Sequence, residues 1–267
     1  MKNPFITLGM LVILFYSCEK KILDHSTQAS QDNLTAESIF NDVGYIIEEG
    51  FWNNDENPSY PKYTLMNTPD TSGVDTLDID FGPINYLYNK KYRRGIIRTI
   101  YTGEYYSPSS VLTTTFDNYY VNNNLVHGER VVRNQGINNN GNMWFTIEVK
   151  QGVVYTESGM INWESNKSRE WTSGQTTPSN TIDDKYKITG TANGNGVNGG
   201  DFSVIISTAL TLNSGCLYSS SCVIESGTAK VSPDGRNDRT IDYGDSLCDC
   251  NVDVIINGER FPIIIRD

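Results

Sequence analysis

Phe202, Val204, Ile206, Thr208, Leu210 and Leu212 occupy every second position of one stretch, with Ser203, Ser207 and Thr211 between them. A period of two over that length suits an extended strand with one buried face, because a helix would spread the same side chains around its circumference. Leu77, Ile79 and Phe81 alternate in the same way with Thr76, Asp78 and Asp80, and Met143, Phe145, Ile147 and Val149 alternate with Trp144, Thr146, Glu148 and Lys150. Further strands are predicted near 96–105, 111–122, 126–133, 160–164, 185–191, 222–231, 239–243, 252–256 and 261–265. Asn-Gly at 140–141, 193–194 and 257–258, Asp-Gly at 234–235 and the Gly-rich run 190–200 supply the turns between them. Parallel pairing needs crossover helices, and the connections are too short to hold them. The predicted fold is mainly β: an antiparallel meander forming a sandwich, a barrel or an extended sheet.

One amphipathic helix precedes it. Thr35 is placed to cap it, and Ile39, Phe40, Val43, Ile46 and Ile47 recur at helical spacing with Glu37, Asp42, Glu48 and Glu49 opposite. Segment 51–73, with its prolines, Asn, Asp and Ser, is expected to be a linker. Sixteen Tyr and few Ala or Leu fit a strand-rich body. A net charge of −11 argues against nucleic acid as a partner, since phosphate binding draws on clustered Lys and Arg.

At the amino terminus Lys2 precedes an apolar run, Phe5 to Tyr16, that is too short to span a bilayer and leads into Ser17-Cys18. The run resembles a bacterial lipoprotein signal peptide, although Phe15 stands where that family usually has Leu. The resemblance implies cleavage before Cys18 and acylation of that residue, so that the protein meets a membrane through its lipid anchor. The expected organisation is a signal peptide at 1–17, a tether at 18–33, helix and linker at 34–75, and an antiparallel β domain at 76–267.

With Cys18 assigned to lipid, Cys216, Cys222, Cys248 and Cys250 form an even set, as expected of disulfides in an exported protein. A bond between Cys248 and Cys250 would close a very tight ring, so the bridges are expected to run from the 216/222 pair to the 248/250 pair. Cys-Asp-Cys is also a soft-metal pattern, but no histidine lies near it. Neither a metal nor a cofactor is expected.

Asp78-Ile79-Asp80-Phe81-Gly82 echoes Thr240-Ile241-Asp242-Tyr243-Gly244, and each leads on to a Gly-Glu pair, at 103–104 and 258–259. The first copy is seven residues longer, counted from Gly82 to Gly103 against Gly244 to Gly258. Together with Tyr101-Thr102-Gly103-Glu104-Tyr105, the run 116–122, the run 128–134 and Cys248-Asp249, these segments resemble a group of Bacteroidota envelope lipoproteins over roughly residues 76 to 265. That resemblance implies an envelope address, with the outer membrane as its usual place, and carries no activity with it.

Gly244-Asp245-Ser246-Leu247 resembles the nucleophile block of a large lipase and esterase family, but Ser246 has 21 residues after it and no histidine among them. Only His127 would be left as a base. Asp75, Asp78 and Asp80, and Asp242, Asp245 and Asp249, are acidic clusters without the spacing of an EF-hand. Trp144, Trp163 and Trp171 would form a sugar platform if they shared an exposed face, and core packing is the competing expectation. The excess of the first copy is basic and aromatic: Tyr86, Tyr88, Lys90, Lys91, Tyr92, Arg93 and Arg94. Tyr88, Lys90, Lys91, Tyr92, Arg93 and Arg94 are therefore the candidate ligand contacts, for a glycan or an envelope protein, through stacking and cation–π contacts. The expected function is a lipid-anchored envelope protein with a binding or structural role and no catalysis; the competing expectation is an envelope hydrolase acting on glycan or ester.

Overall fold

The computed structural model describes residues 24–52, 59–66, 74–103 and 105–265. Cys18 and the expected signal peptide lie outside them. One helix, α1 (Gln28–Trp52), is followed by β1 (Lys62–Met66), β2 (Val74–Asp80), β3 (Tyr86–Tyr88), β4 (Lys91–Thr102), β5 (Val111–Val121), β6 (Asn124–Ile137) and β7 (Met143–Thr156). The chain continues with β8 (Gly159–Ser173), β9 (Lys185–Asn195), β10 (Asp201–Asn213), β11 (Ile224–Pro233), β12 (Arg239–Asp245), β13 (Asn251–Ile256) and β14 (Glu259–Ile264). All belong to one antiparallel 14-stranded sheet whose order follows the sequence from β1 to β14, with β3 paired only to β4. The meander expected from the alternation is present, as a single sheet that does not close into a barrel.

The sheet wraps around α1. Asp42 of the helix meets Arg93 on β4, while Glu37 meets Lys167 on β8 and Tyr243 on β12. The steps from β4 to β12 would span roughly 38 Å if flat, at about 4.8 Å per strand. A helix with its side chains is only about 10–12 Å across. The concave face therefore surrounds the helix, and Leu34, Ile39, Phe40, Val43, Ile46 and Ile47 are all 3 % exposed or less. Burying that set contributes on the order of 10 kcal/mol, an upper figure because an unfolded chain already hides part of it.

Curvature of this degree comes from interruptions in the ladders. Register shifts occur between β4 and β5 at Arg94/Ile96, between β6 and β7 at His127/Glu129, between β7 and β8 at Val149/Gly152 and between β11 and β12 at Ser226/Thr228. Such bulges bend a strand and increase its twist. Gly95 shows why a glycine stands at one of them: its φ is +85°, and a Cβ there would lie 2.0 Å from the carbonyl oxygen of Asn118.

Two sequence-based boundaries change. The helix begins at Gln28, so the second half of the expected tether is folded. Gln28 to Asn33 has no apolar stripe; it is held by tertiary bonds, Trp163 Nε1 donating to Asn33 Oδ1 at 2.9 Å and the Val197 amide to Asp32 at 3.3 Å. Ahead of it, Asp24 accepts from Arg239 at 2.6 Å. Secondly, the expected linker contains the edge strand β1, which pairs with β2 from Lys62↔Asp80 to Met66↔Thr76. Glu37 and Glu48, opposite the apolar stripe, are also buried, at 4 % and 6 % exposed.

The two echoed segments share one turn. Gly82 N donates to Asp80 Oδ1 at 2.7 Å and Gly244 N to Asp242 Oδ1 at 3.1 Å, while Ile79, Phe81, Ile241 and Tyr243 are buried in both. The longer first copy is the β3 hairpin. At the far end of the sheet the disulfides are Cys216–Cys248 and Cys222–Cys250, joining the two pairs as expected.

Two stability outcomes follow, both measurable by urea unfolding. Gly95→Ala should lower stability by about 2 kcal/mol or more, through an unfavourable φ and a backbone clash. The bridges span sequence separations of 32 and 28, so replacing Cys216 and Cys248 together with Ala should cost about 2–4 kcal/mol by loss of loop constraint in the unfolded chain.

Candidate binding surface

The basic and aromatic run forms the β3–β4 hairpin, turned by Asn89 and Lys90, whose φ values of 48° and 64° suit a two-residue hairpin turn. Strand alternation divides its side chains between two faces. Lys91 and Arg93 point inward, 2 % and 0 % exposed, whereas Tyr92 is 53 % exposed. Arg93 donates through both terminal nitrogens to Asp42, at 2.5 and 2.9 Å, and to the Tyr119 hydroxyl at 2.8 Å. Lys91 Nζ lies 3.6 Å from Asp42. Tyr88 donates to Glu49 at 2.6 Å, and Lys90 Nζ donates to the carbonyls of Leu217, Tyr218 and Ser220.

Four of the six candidate contacts are thus engaged inside the molecule: Tyr88, Lys91 and Arg93 hold the helix, and Lys90 holds the loop that carries Cys216 and Cys222. The physical reason is the period of two, which turns every second cation toward the acids of α1. Tyr92 and Arg94 remain on the outer face. Arg94 lies 3.5 Å from the centre of the Tyr120 ring and donates to Asn85 at 2.7 Å. Leu87, directly opposite Tyr92 in the register, is 57 % exposed, and Ile84 is 74 % exposed. Ile84, Leu87 and Tyr120 were missed as site residues; the signal for Leu87 was an apolar residue at the solvent-facing phase of a strand, whereas Ile84 lies in the bend between β2 and β3. The result is an apolar and aromatic surface with a guanidinium stacked at its side, suited to a sugar ring or another flat, weakly polar group.

The remaining candidates lie elsewhere. Trp163 and Trp171 are 2 % and 1 % exposed and pack in the core, Trp163 stacking on Phe40 and Trp171 on Tyr106 and Tyr186, so they form no sugar platform with Trp144. Ser246 sits in a turn at φ +69°, its amide donating to the Glu225 carbonyl at 2.8 Å, while His127 is on β6, six places away in the strand order, edge-on to Tyr155. Of the acidic clusters, Asp78 accepts from Arg98 at 2.6 and 2.8 Å, and Asp242 faces Arg260 at 3.6 Å. Among the described residues, the group of metal-ligand type that lies close enough together is Cys216, Glu225 and Cys248, and its two cysteines are joined in a disulfide. Burial first, then the charge of Glu48, pushes the Asp184 carboxyl up to about 7, but it is 1 % exposed and accepts from Trp171 and Tyr186. A cavity of ≈ 360 Å³ between α1 and β14 is lined by Gln31, Leu34, Thr35 and residues 262–265, none of them titratable.

The division of the hairpin has a measurable consequence. Burial pushes the Asp42 carboxyl up, but the charges of Arg93 and Lys91 outweigh it and hold the group below the usual carboxylate value. A depressed carboxylate contributes stability above its unfolded value of about 3.9 and loses it as pH falls through the folded value. Arg93→Met should therefore cost about 3 kcal/mol at pH 7, with the gap to wild type shrinking below about pH 4, whereas Tyr92→Ala should stay within about 1 kcal/mol. Urea unfolding across that pH range checks both. Comparison of the chain with protein-family models, with curated proteins and with solved structures finds no match.

Proposed function

We propose that this chain is a lipid-anchored protein of the bacterial envelope, held at Cys18, that acts without catalysis by presenting the outer face of the β3–β4 hairpin to a glycan. The observation that carries the binding role is the exposed Leu87–Tyr92 pair beside Ile84 and the Arg94–Tyr120 stack. A flat aromatic and apolar face against solvent is expected of a recognition surface, while catalysis draws on converging polar groups in a cleft. Two disulfides support an oxidising compartment, as does the resemblance of the leader to lipoprotein signals and of the body to Bacteroidota envelope lipoproteins. Acyl chains at Cys18 would make attachment stable, since two suffice for lasting anchorage. The outer membrane is the proposed site.

Two measurements test this reading. When the full chain is produced in a diderm bacterium, mass spectrometry of the mature terminus should find acylated Cys18, and Cys18→Ala should leave the membrane fraction; an unmodified terminus overturns the anchor. On glycan arrays, Leu87→Ser/Tyr92→Ala should lose about tenfold in affinity, the loss expected from about 1.4 kcal/mol of stacking and burial. Equal binding by variant and wild type overturns the role of the hairpin.

A further inference from the structure

The interior holds a cation that the fold does not balance. Arg130 on β6 is 5 % exposed, and among the described residues it has no hydrogen-bond or ion-pair partner. It lines a cavity of ≈ 20 Å³ between α1 and β6–β10, together with Asn41, Ser165, Lys167 and Arg169. The two other cations are already matched: Lys167 donates to Glu37, and Arg169 lies 2.6 Å from Glu48. Glu37 also accepts from Tyr243 at 2.6 Å and Glu48 Oε1 from Tyr105 at 2.5 Å, so each of these two carboxylates already faces a cation of its own and a hydroxyl. One positive charge is left over. Two buried donors, Asn41 Nδ2 and Arg169 Nε, also have no acceptor among the described residues, and both side chains line this cavity.

We propose that this cavity binds one small monovalent anion of halide size, which accepts from Arg130, Asn41 Nδ2 and Arg169 Nε. A buried charge without a counter-charge is costly, and water in its place would satisfy donors without balancing the charge. Burial, and then repulsion from Arg169, push the Arg130 guanidinium down to about 10 against the attraction of Glu48, which is already paired with Arg169; the group stays cationic at neutral pH. The volume admits one occupant little larger than water, for which about 10–15 Å³ is enough, and excludes sulfate or phosphate. Gly44 makes the arrangement possible: a Cβ there would lie 2.5 Å from Arg130 Nη2, where the guanidinium passes over the helix. Phe40 and the aliphatic side chains of β7, β9 and β10 close the remaining walls and keep the local dielectric low.

Thermal unfolding of the full chain in sodium chloride, compared with sodium gluconate at equal low ionic strength, separates binding from screening. Chloride should raise the midpoint by roughly 3–6 °C per tenfold increase once the site is more than half filled, and gluconate should not. Arg130→Met, which keeps length and removes charge, should abolish that slope. Wild-type crystals soaked in bromide should show an anomalous peak among Arg130, Asn41 and Arg169, a measurement that needs no variant to fold. Identical midpoints in the two salts, an unchanged slope in Arg130→Met, or a bromide map with no peak in the cavity would each overturn the proposal.

Discussion

Enclosure of α1 by one sheet is the constraint on which the remaining structure depends. A fourteen-stranded sheet with one apolar face and no second sheet to cover it must bury that face on something, and its breadth rules out remaining flat around a single helix. Bulges at Gly95, Gly128 and Gly227 supply the coil, and the helix fills the concavity. Because the strands surround it, the helix is buried on most of its circumference. A narrow amphipathic stripe would not suit that position, and α1 accordingly carries small residues such as Gly44 and Gly50 on sides where strands approach closely.

Its acids do a different job from solvation. Asp42 reaches β4, while Glu37 and Glu48 both reach β8, and each meets a cation: Arg93, Lys167 and Arg169. A buried ion pair adds little net stability over an apolar replacement, yet losing one partner is expensive. Shifting the helix by one residue would rotate every side chain by about 100° and separate all three pairs together. The pairs are thus best understood as setting the rotation and axial position of a helix whose apolar contacts alone would tolerate several.

The hairpin on the first half of the sheet joins this interior to the surface. Its inward residues grip Asp42 and Glu49 of α1, and Lys90 caps the carbonyls of the disulfide-bearing loop. That bracing leaves the outward residues on a backbone anchored at both ends. Recognition by Leu87, Tyr92 and Arg94 would then require little ordering on binding, which is where flexible loops lose affinity.

Most strands, their antiparallel order and the pairing of the two cysteine pairs were legible in the sequence, because a period of two is a local signal and an adjacent Cys-X-Cys bridge is geometrically strained; β1 was not, and Asn193-Gly194, expected as a turn, lies inside β9. The helix core at 39–47 was legible for the same reason. Its first turns were not, since Gln28 to Asn33 is helical through Trp163 and Val197, both far along the chain. Nor could the alternating cations of the hairpin be sorted into inner and outer sets, because which phase faces inward depends on where α1 lies. The sequence by itself determined how most strands would alternate; only the tertiary structure decided that the sheet would coil around the helix, and so which charges would be buried together and which rings would meet solvent, because those outcomes depend on contacts between segments 39 to 206 residues apart.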